Sequence, residues 1–551
     1  MAFPDFAPCI PVFLRGLAER HGEREMIVHG ERRLTYREAE AASARLARGL
    51  LAAGVGKGTR VALLMPNGPD FALCWLAAAR IGALLVPINT FYQARELGWA
   101  LRHCDARLLL AARHLLGHDL LERLERAAPE LAAPEPTGQG GGDLRLRELP
   151  NLRSVFAWGG SDRAWARDGP AELAALAAAA PAIDDAFLRE VEGCVTPADA
   201  LTVVYSSGST GEPKGALHTH GTLVRHSFNL LQFRDIRPGD RLYTPMPFFW
   251  VGGLLFSLLS SMHAGACLLC EDAFEPGRTL ELLERERATG FWAWPHYAKA
   301  IAEHPSLRER DLRSLRAGNL QSLISGVAPP APGQRTGSLG MTETCGPHTY
   351  EDMEVDLPQK QRGAFGRALP GLMHKVVDPA TGAALPPGAS GELCVRGYSV
   401  MQGLYKRERE ETFDADGYYH TGDAGHLDAE GWLFFQGRLG EMIKTGGANV
   451  TPREVELALE ALEEVKEAYV VGLPDPDRGE LVAAAIVLHP GRSLPPEELR
   501  ARLRRELAAY KLPRHVFFAP SGTLPFTDSG KIDRRRLADL LAARLRESQE
   551  L

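Results

Sequence analysis

The chain has 551 residues, too many for one hydrophobic core, so about three or four folding units are expected. Its composition, 45% hydrophobic and 24% charged, is that of an ordinary soluble globular protein, and a net charge of −7 gives no footprint for nucleic acid. The opening residues have neither a basic region nor an apolar one, and eight cysteines without framework spacing point to a reducing, cytoplasmic setting.

From residue 57 to 111 strands and helices alternate. Residues 61–65 read as a buried strand, 71–81 as a helix, 84–88 as a strand, 95–103 as a helix and 108–110 as a strand. That alternation predicts a parallel sheet with covering helices. Residues 125–148, rich in Pro and Gly with Gly140-Gly141-Gly142 at the tip, read as an exposed loop, and the alanine-rich run 171–180 as a surface helix. Residues 251–270 contain several Ser and Gly and His263; they read as a core helix running into a strand, not as a transmembrane segment. Cys267 and Cys270 form a single Cys-x-x-Cys with no second pair and read as core packing.

Between 386 and 436 short strands alternate with glycine turns. After Arg438 come a helix near 453–462, strands near 468–472 and 482–488, and a helix near 496–509, a compact α+β unit. Arginine clusters at 502–505 and 534–536 read as solvated helix faces.

The most informative segment follows an apolar strand, Leu201-Thr202-Val203-Val204-Tyr205. Residues 205–216 read Tyr-Ser-Ser-Gly-Ser-Thr-Gly-Glu-Pro-Lys-Gly-Ala. Small residues let backbone N–H groups converge on an anion, the hydroxyls of Ser207, Ser209 and Thr210 add donors, and Lys214 supplies a fixed positive charge. A Walker A loop would have Ser or Thr after the lysine, whereas Gly215 follows here. A Ser/Gly linker would not carry a buried strand on one side and a lysine at a set place, so the loop is read as a polyphosphate site.

This loop resembles that of the adenylate-forming superfamily, which includes acyl-CoA synthetases. Four later stretches resemble its other motifs, in order: Ser338-Leu339-Gly340-Met341-Thr342-Glu343-Thr344; Tyr419-His420-Thr421-Gly422-Asp423; Gly437 to Lys444 with Gly446-Gly447-Ala448-Asn449; and Leu524 to Ile532, which contains Lys531. The resemblance implies an α/β fold. A large N-terminal domain of parallel-rich sheets with covering helices and a small β-barrel (1–437) leads through a hinge (438–441) to a small, mobile α+β C-terminal domain (442–551).

It also implies chemistry. A carboxylate acylates poorly until AMP transfer gives it a good leaving group, and such transfer needs cations and fixed donors around the phosphates. By resemblance, Ser206, Ser207, Gly208, Ser209, Thr210, Gly211 and Lys214 hold the β- and γ-phosphates of ATP. Thr342 binds the α-phosphate, Glu343 ligates Mg²⁺, and Asp423 and Arg438 take the ribose. Lys531 bridges the substrate carboxylate and the α-phosphate. Gly446 and Gly447 line a tunnel for the pantetheine arm of CoA, where missing side chains let it pass close to the backbone; a turn needing positive φ asks for the same glycines. Phe249, Trp250 and Gly252 lie in the segment that lines the acyl pocket.

Four departures from the family pattern stand out. Leu339 occupies the place of a tyrosine that stacks on adenine. Gly440 replaces the usual Asp or Lys at the hinge. The stretch from Ser325 to Ser338 is short and proline-rich. Trp250 stands where histidine is common, and either gates an acyl tunnel or fills core. The expected activity is an ATP-dependent acyl-CoA synthetase. The alternatives are a stand-alone ligase loading a carrier protein and a nucleotide-binding homologue without catalysis. The motif of Lys531 lies close to Leu551, which leaves no room for a fused carrier domain. The sequence does not name the acyl group, and the oligomeric state is open, a homodimer included.

Overall fold

The computed structural model describes residues 3–132, 143–206, 213–293, 295–318, 337–351, 356–445, 448–450, 452–475, 479–504, 506–507, 511–527 and 530–549. They fall into two compact units. The first comprises Met1–Pro329, Gly340–Pro347 and Tyr398–Thr412, the second Pro330–Leu339, His348–Gly397 and Phe413–Leu551.

After an N-terminal helix over Ile10–His21, the first unit continues with β1 (Glu25–His29), β2 (Arg32–Thr35), α1 (Tyr36–Ala52), β3 (Arg60–Leu64), α2 (Pro69–Arg80) and β4 (Leu84–Pro87). It continues through α3 (Ala94–His103), β5 (Leu108–Ala112), α4 (Leu120–Ala127), β6 (Ser154–Trp158), β7 (Ala166–Asp168), α5 (Gly169–Ala179) and α6 (Asp185–Gly193). Then come β8 (Ala200–Ser206), β9 (Lys214–Thr219), α7 (His220–Leu231), β10 (Arg241–Tyr243), β11 (Cys267–Cys270), β12 (Gly290–Phe291) and β13 (Ala317–Gly318). A small hairpin of β14 (Gly340–Met341) and β15 (Gly346–Pro347) belongs to the same unit.

Two sheets organise these elements. In the eight-stranded one, β8-β4-β3-β5-β6-β7 run parallel in that order. β9 turns back antiparallel against β8, and the short strand Gly403–Leu404 pairs antiparallel with β9. The other sheet has six strands in the order β13-β12-β10-β11-β1-β2, parallel except for the β1/β2 hairpin. All four residues of β4 are buried, as a strand covered on both faces demands, and the apolar run is therefore continuous instead of alternating. Helix α1 starts where it does because Thr35 and Glu38 form a reciprocal capping box. No described helix is long and apolar enough to cross a membrane.

The second unit contains an antiparallel sheet of β16 (Leu372–Val377), β17 (Gly391–Gly397), β18 (Tyr419–Leu427) and β19 (Leu433–Arg438), paired in that order. Its C-terminal part comprises β20 (Ile443–Thr445), β21 (Ala448–Val450), α8 (Pro452–Glu460), β22 (Val465–Asp475), β23 (Gly479–Leu488), α9 (Pro496–Leu503), β24 (His515–Phe518) and α10 (Arg534–Gln549). The long β22/β23 pair buries both faces. Val470 and Ile486 meet Val455 and Leu459 of α8 and Leu499 and Leu503 of α9, while Val471 and Ala485 meet Leu537 and Leu541 of α10. Adjacent residues 470 and 471 face opposite ways, as strand geometry requires.

Three expectations change. Residues 125–148 are not wholly an exposed loop: α4 runs to Ala127, and Leu131, Leu144 and Leu146 are buried with Leu109 and Val155. Gly140-Gly141-Gly142 lies outside the described residues. The helix expected over 496–509 ends at Leu503. Arg534 is no solvated charge, since it pairs with Glu441 at 3.0 Å and Glu456 at 2.8 Å and donates to the Val470 carbonyl. Cys267 and Cys270 are both buried in β11; three apart on a strand, they face opposite ways and cannot chelate together.

One buried ion pair ties three helices of the first unit. Arg80 on α2 meets Glu192 on α6 at 2.5 Å and Glu40 on α1 at 2.8 Å, and its side chain is 3% exposed against 2% for Glu192. Glu192 also takes Arg15 at 2.6 Å, so removing it takes a buried counter-charge from two arginines and leaves the buried Arg80 with only the partly exposed Glu40. Glu192→Ala is expected to lower the stability of this unit by about 3–5 kcal/mol, read from its urea unfolding midpoint.

Candidate functional site

The segment expected to hold a polyphosphate connects β8 to β9, where the chain turns back antiparallel against the run of parallel strands. β8 and β9 pair with Ser206 opposite Lys214 and Tyr205 opposite Gly215. A hydroxyl and an ammonium thus stand at the two ends of the connection. Ser207, Gly208, Ser209, Thr210 and Gly211, which form it, lie outside the described residues. The base of the hairpin is rigid: the buried Tyr205 hydroxyl bonds His103 Nδ1 at 2.7 Å, and Trp99 stacks on that imidazole at 4.6 Å. Gly215 is required because a Cβ there would lie 2.7 Å from Val203.

Thr342 and Glu343 sit in the tight turn Thr342–Thr344, between β14 and β15. The Ser206 hydroxyl donates to Glu343 Oε1 at 3.1 Å, so the turn is brought onto the end of β8. Glu343 is 7% exposed, and its carbonyl accepts from Met401 N at 2.8 Å. A carboxylate beside a hydroxyl is a hard-oxygen donor set that fits Mg²⁺.

In the second unit Asp423 and Arg438 are cross-strand neighbours on β18 and β19. Arg438 Nε lies 2.9 Å from Asp423 Oδ1, and Arg438 Nη1 donates to the Thr421 carbonyl at 2.8 Å. Asp423 is 3% exposed. The strand kinks here through Gly422, whose φ of +72° favours glycine, and its N–H donates to Glu392 at 3.0 Å. The ligand atoms of Glu392, Cys394 and His420 approach within 4.8 Å of one another, in the manner of a cation site. His420 Nδ1 is already bonded to Glu392 at 2.8 Å, and a lysine stands nearby. Lys375 lies directly across the strands from Cys394, and its ammonium is 2.6 Å from Asp414, which is 3.6 Å from His420. The group is an internal ion network that supports the Thr421-Gly422-Asp423 turn.

Leu339 is half-buried; its N–H donates to Thr349 Oγ1 at 2.7 Å and its carbonyl accepts from His348 N. Lys531 is exposed at the end of a tight turn: its carbonyl accepts from Thr527 N at 2.8 Å, Gly530 adopts φ +72°, and Phe526 bridges Ile532. Gly446 and Gly447 lie outside the described residues, between β20 and β21, which pair Thr445 with Ala448. Most of the proline-rich stretch ending at Ser338 is also outside them.

The segment expected to line the acyl pocket resolves into distinct environments. Phe248 is fully buried and fills core against Phe71, Phe249 is 4% exposed, and Trp250 and Gly252 are half-buried. Phe249 and Trp250 meet edge to face at 4.9 Å, and Phe91 closes the group at 5.7 Å from Phe249 and 6.4 Å from Trp250. Asn67 holds the backbone from both sides, donating to the Met246 carbonyl and accepting from Phe248 N. The chain then enters a π-helix, Gly252–Leu259, a geometry that recurs at functional sites. Sequence reasoning found neither Phe91 nor Asn67. The Gly252-Gly253 pair was the available signal, since a Cβ on Gly253 would sit 2.1 Å from the Pro247 carbonyl oxygen.

The family of AMP-binding enzymes matches residues 14–405, and the AMP-binding enzyme C-terminal domain matches 454–531. The chain belongs to this adenylate-forming family. It is 30% identical over 560 residues to the rat mitochondrial medium-chain acyl-CoA ligase ACSF2, covering 97% of this chain and 87% of that one. It is 33% identical over 517 residues to a feruloyl-CoA synthase of Amycolatopsis, covering 92% and 93%. Among solved structures, a fatty acyl CoA synthetase of Mycobacterium tuberculosis superposes with a TM-score of 0.67 at 27% identity, over 98% of this chain and 99% of that one.

Two glycines should respond oppositely to the same change. Gly253→Ala forces a Cβ into the backbone and is expected to cost about 1–3 kcal/mol. Gly440 is exposed with nothing within 4 Å of a Cβ, so Gly440→Ala is expected to be neutral or to stabilise by up to about 1 kcal/mol. Urea unfolding of both variants checks the pair.

Proposed function

We propose that the protein activates a carboxylic acid as its acyl-adenylate at the expense of ATP and then transfers the acyl group to CoA. The observation that carries the reading is the meeting of Ser206, at the end of the phosphate hairpin, with Glu343 of the Met-Thr-Glu turn, while Lys214 stands opposite Ser206. A hydroxyl, an ammonium and a carboxylate in one place suit a metal-bound polyphosphate. A carboxylate oxygen attacks the α-phosphorus, the bond to the β-phosphate oxygen breaks, and pyrophosphate leaves with the electron pair. The CoA sulfur then attacks the acyl carbon, the bond to AMP breaks, and the thiol proton is released.

Roles follow from these steps. Lys214 and Ser206, with Ser207–Gly211, hold the departing pyrophosphate, and Thr342 orients the α-phosphate. Glu343 would hold Mg²⁺, and what the ion supplies when bound is neutralisation of phosphate charge. Asp423 and Arg438 take the ribose, Leu339 packs on the adenine, and Lys531 neutralises the carboxylate and α-phosphate as they meet. Gly446 and Gly447 line the thiol path. CoA is favoured over a carrier protein because the similar proteins are named as CoA ligases and synthases. The aromatic group of Phe91, Phe249 and Trp250 favours an apolar acyl chain or an aryl acid. The eight cysteines carry no disulfide, which suits a reducing compartment such as the cytoplasm.

Lys531→Ala is expected to slow carboxylate-dependent adenylate formation by about 10²–10³, while thioester formation from a preformed adenylate is spared. An equal loss in both half-reactions would sink this assignment of Lys531. The overall activity is tested with ATP, Mg²⁺ and a panel of short, medium, long, aryl and branched acids, following pyrophosphate release with and without CoA. Turnover that yields no CoA thioester would favour a carrier-loading ligase.

A further inference from the structure

Glu343 has no regular element of its own to fix it. It occupies a single turn between two strands of two residues each, and so short a ladder sets position weakly. The hairpin is held from elsewhere in the unit, once in its turn and once at its open end. His218 on β9 bonds the Thr342 carbonyl through Nε2 at 2.8 Å, and His226 on α7 bonds the Pro347 carbonyl through Nε2 at 2.9 Å.

A carbonyl oxygen only accepts, so both imidazoles carry hydrogen on Nε2. In His226 that leaves Nδ1 as an acceptor. It faces the Tyr398 hydroxyl at 3.1 Å, and that oxygen receives Asn229 Nδ2 at 2.8 Å. A chain of donors therefore runs from Asn229 through Tyr398 and His226 to Pro347 and sets the tautomer. Both rings are wholly buried, and burial pushes His218 down to about 4 and His226 down to about 3. Each is a neutral donor throughout the physiological range.

The placement matters because of what else β9 carries. Lys214 begins that strand, Ser206 is its cross-strand partner, and His218 lies further along it. One strand thus refers the cation, the hydroxyl and the turn of Glu343 to a common frame. An apolar side chain would fill the space of His218 equally well, but it would leave the Thr342 carbonyl without this donor.

We propose that His218 and His226 are positioning residues that fix the turn and the open end of the Gly340–Pro347 hairpin and so set the Glu343 carboxylate against Ser206 at the phosphate hairpin. The inference rests on reading Glu343 as the residue that serves metal-bound ATP. The test is carboxylate-dependent ATP–pyrophosphate exchange at varied Mg²⁺ and ATP, run beside thioester formation from a preformed acyl-adenylate. His218→Leu is expected to raise the KM for Mg·ATP and lower adenylation kcat by about 10-fold each, the scale of a displacement of order 1 Å or less. The KM for CoA and the thioester step should be unmoved. His218→Gln, which keeps an N–H donor, should recover most of the loss. Tyr398→Phe, which removes only the hydroxyl facing His226, should move the same parameters in the same direction and provides the measurement if the leucine variant does not fold. Unchanged Mg·ATP parameters in these variants, or a parallel loss in both half-reactions, would overturn the proposal. Glu343→Gln separates the two levels: normal adenylation in that variant overturns the reading of Glu343 itself, whereas impaired adenylation there with normal His218→Leu kinetics overturns only the positioning role.

Discussion

The first unit depends on a reversal of strand direction. Its sheet is parallel from β7 to β8, and a parallel sheet alone delivers strand ends to one edge without pairing them. By turning back as β9, the chain places Ser206 and Lys214 opposite each other at the ends of one short connection. Several neighbouring features are built against this hairpin. Tyr205 and His103 brace its base, Gly215 allows the close approach to Val203, and the turn of Glu343 is brought onto its tip by Ser206.

The second unit solves a similar problem with different means. There the side chains proposed to take the ribose stand on neighbouring antiparallel strands, so Asp423 and Arg438 are partners by register. The kink at Gly422 is held by Glu392, which in turn belongs to the network of His420, Asp414 and Lys375. A motif that reads as five consecutive residues is thus maintained by charges on three strands and a loop. Arg534 works in the same way near Lys531, anchoring the start of α10 to Glu441, Glu456 and the Val470 carbonyl.

What was legible in the sequence divides along physical lines. Strands covered on both faces write their burial as continuous apolar runs, and the alternation through residues 57–111 accordingly matches β3, α2, β4, α3 and β5 within a few residues. The strand before the glycine-rich loop was legible for the same reason, as an apolar run at Leu201–Tyr205 that is buried in β8. Bonds that close over long separations leave no local mark. His218 reaches Thr342 across 124 residues, His226 reaches Pro347 across 121, and Asn67 reaches Phe248 across 181. The buried leucines at 131, 144 and 146 were missed because the prolines and glycines between them dominate the composition. Arg534 read as one more exposed arginine because its partners lie on other elements.

Seven of the eight cysteines are buried, and only Cys194 is exposed. Burial raises the thiol in each of the seven, including Cys345, two residues from Glu343, and Cys104, pushed up to about 12. A protein that generates an activated acyl group must keep its own sulfur from capturing it, and only the thiolate is a competent nucleophile. Packing thiols into a low-dielectric interior holds them protonated and out of reach. In such a protein, fidelity toward an external thiol is partly a property of the hydrophobic core.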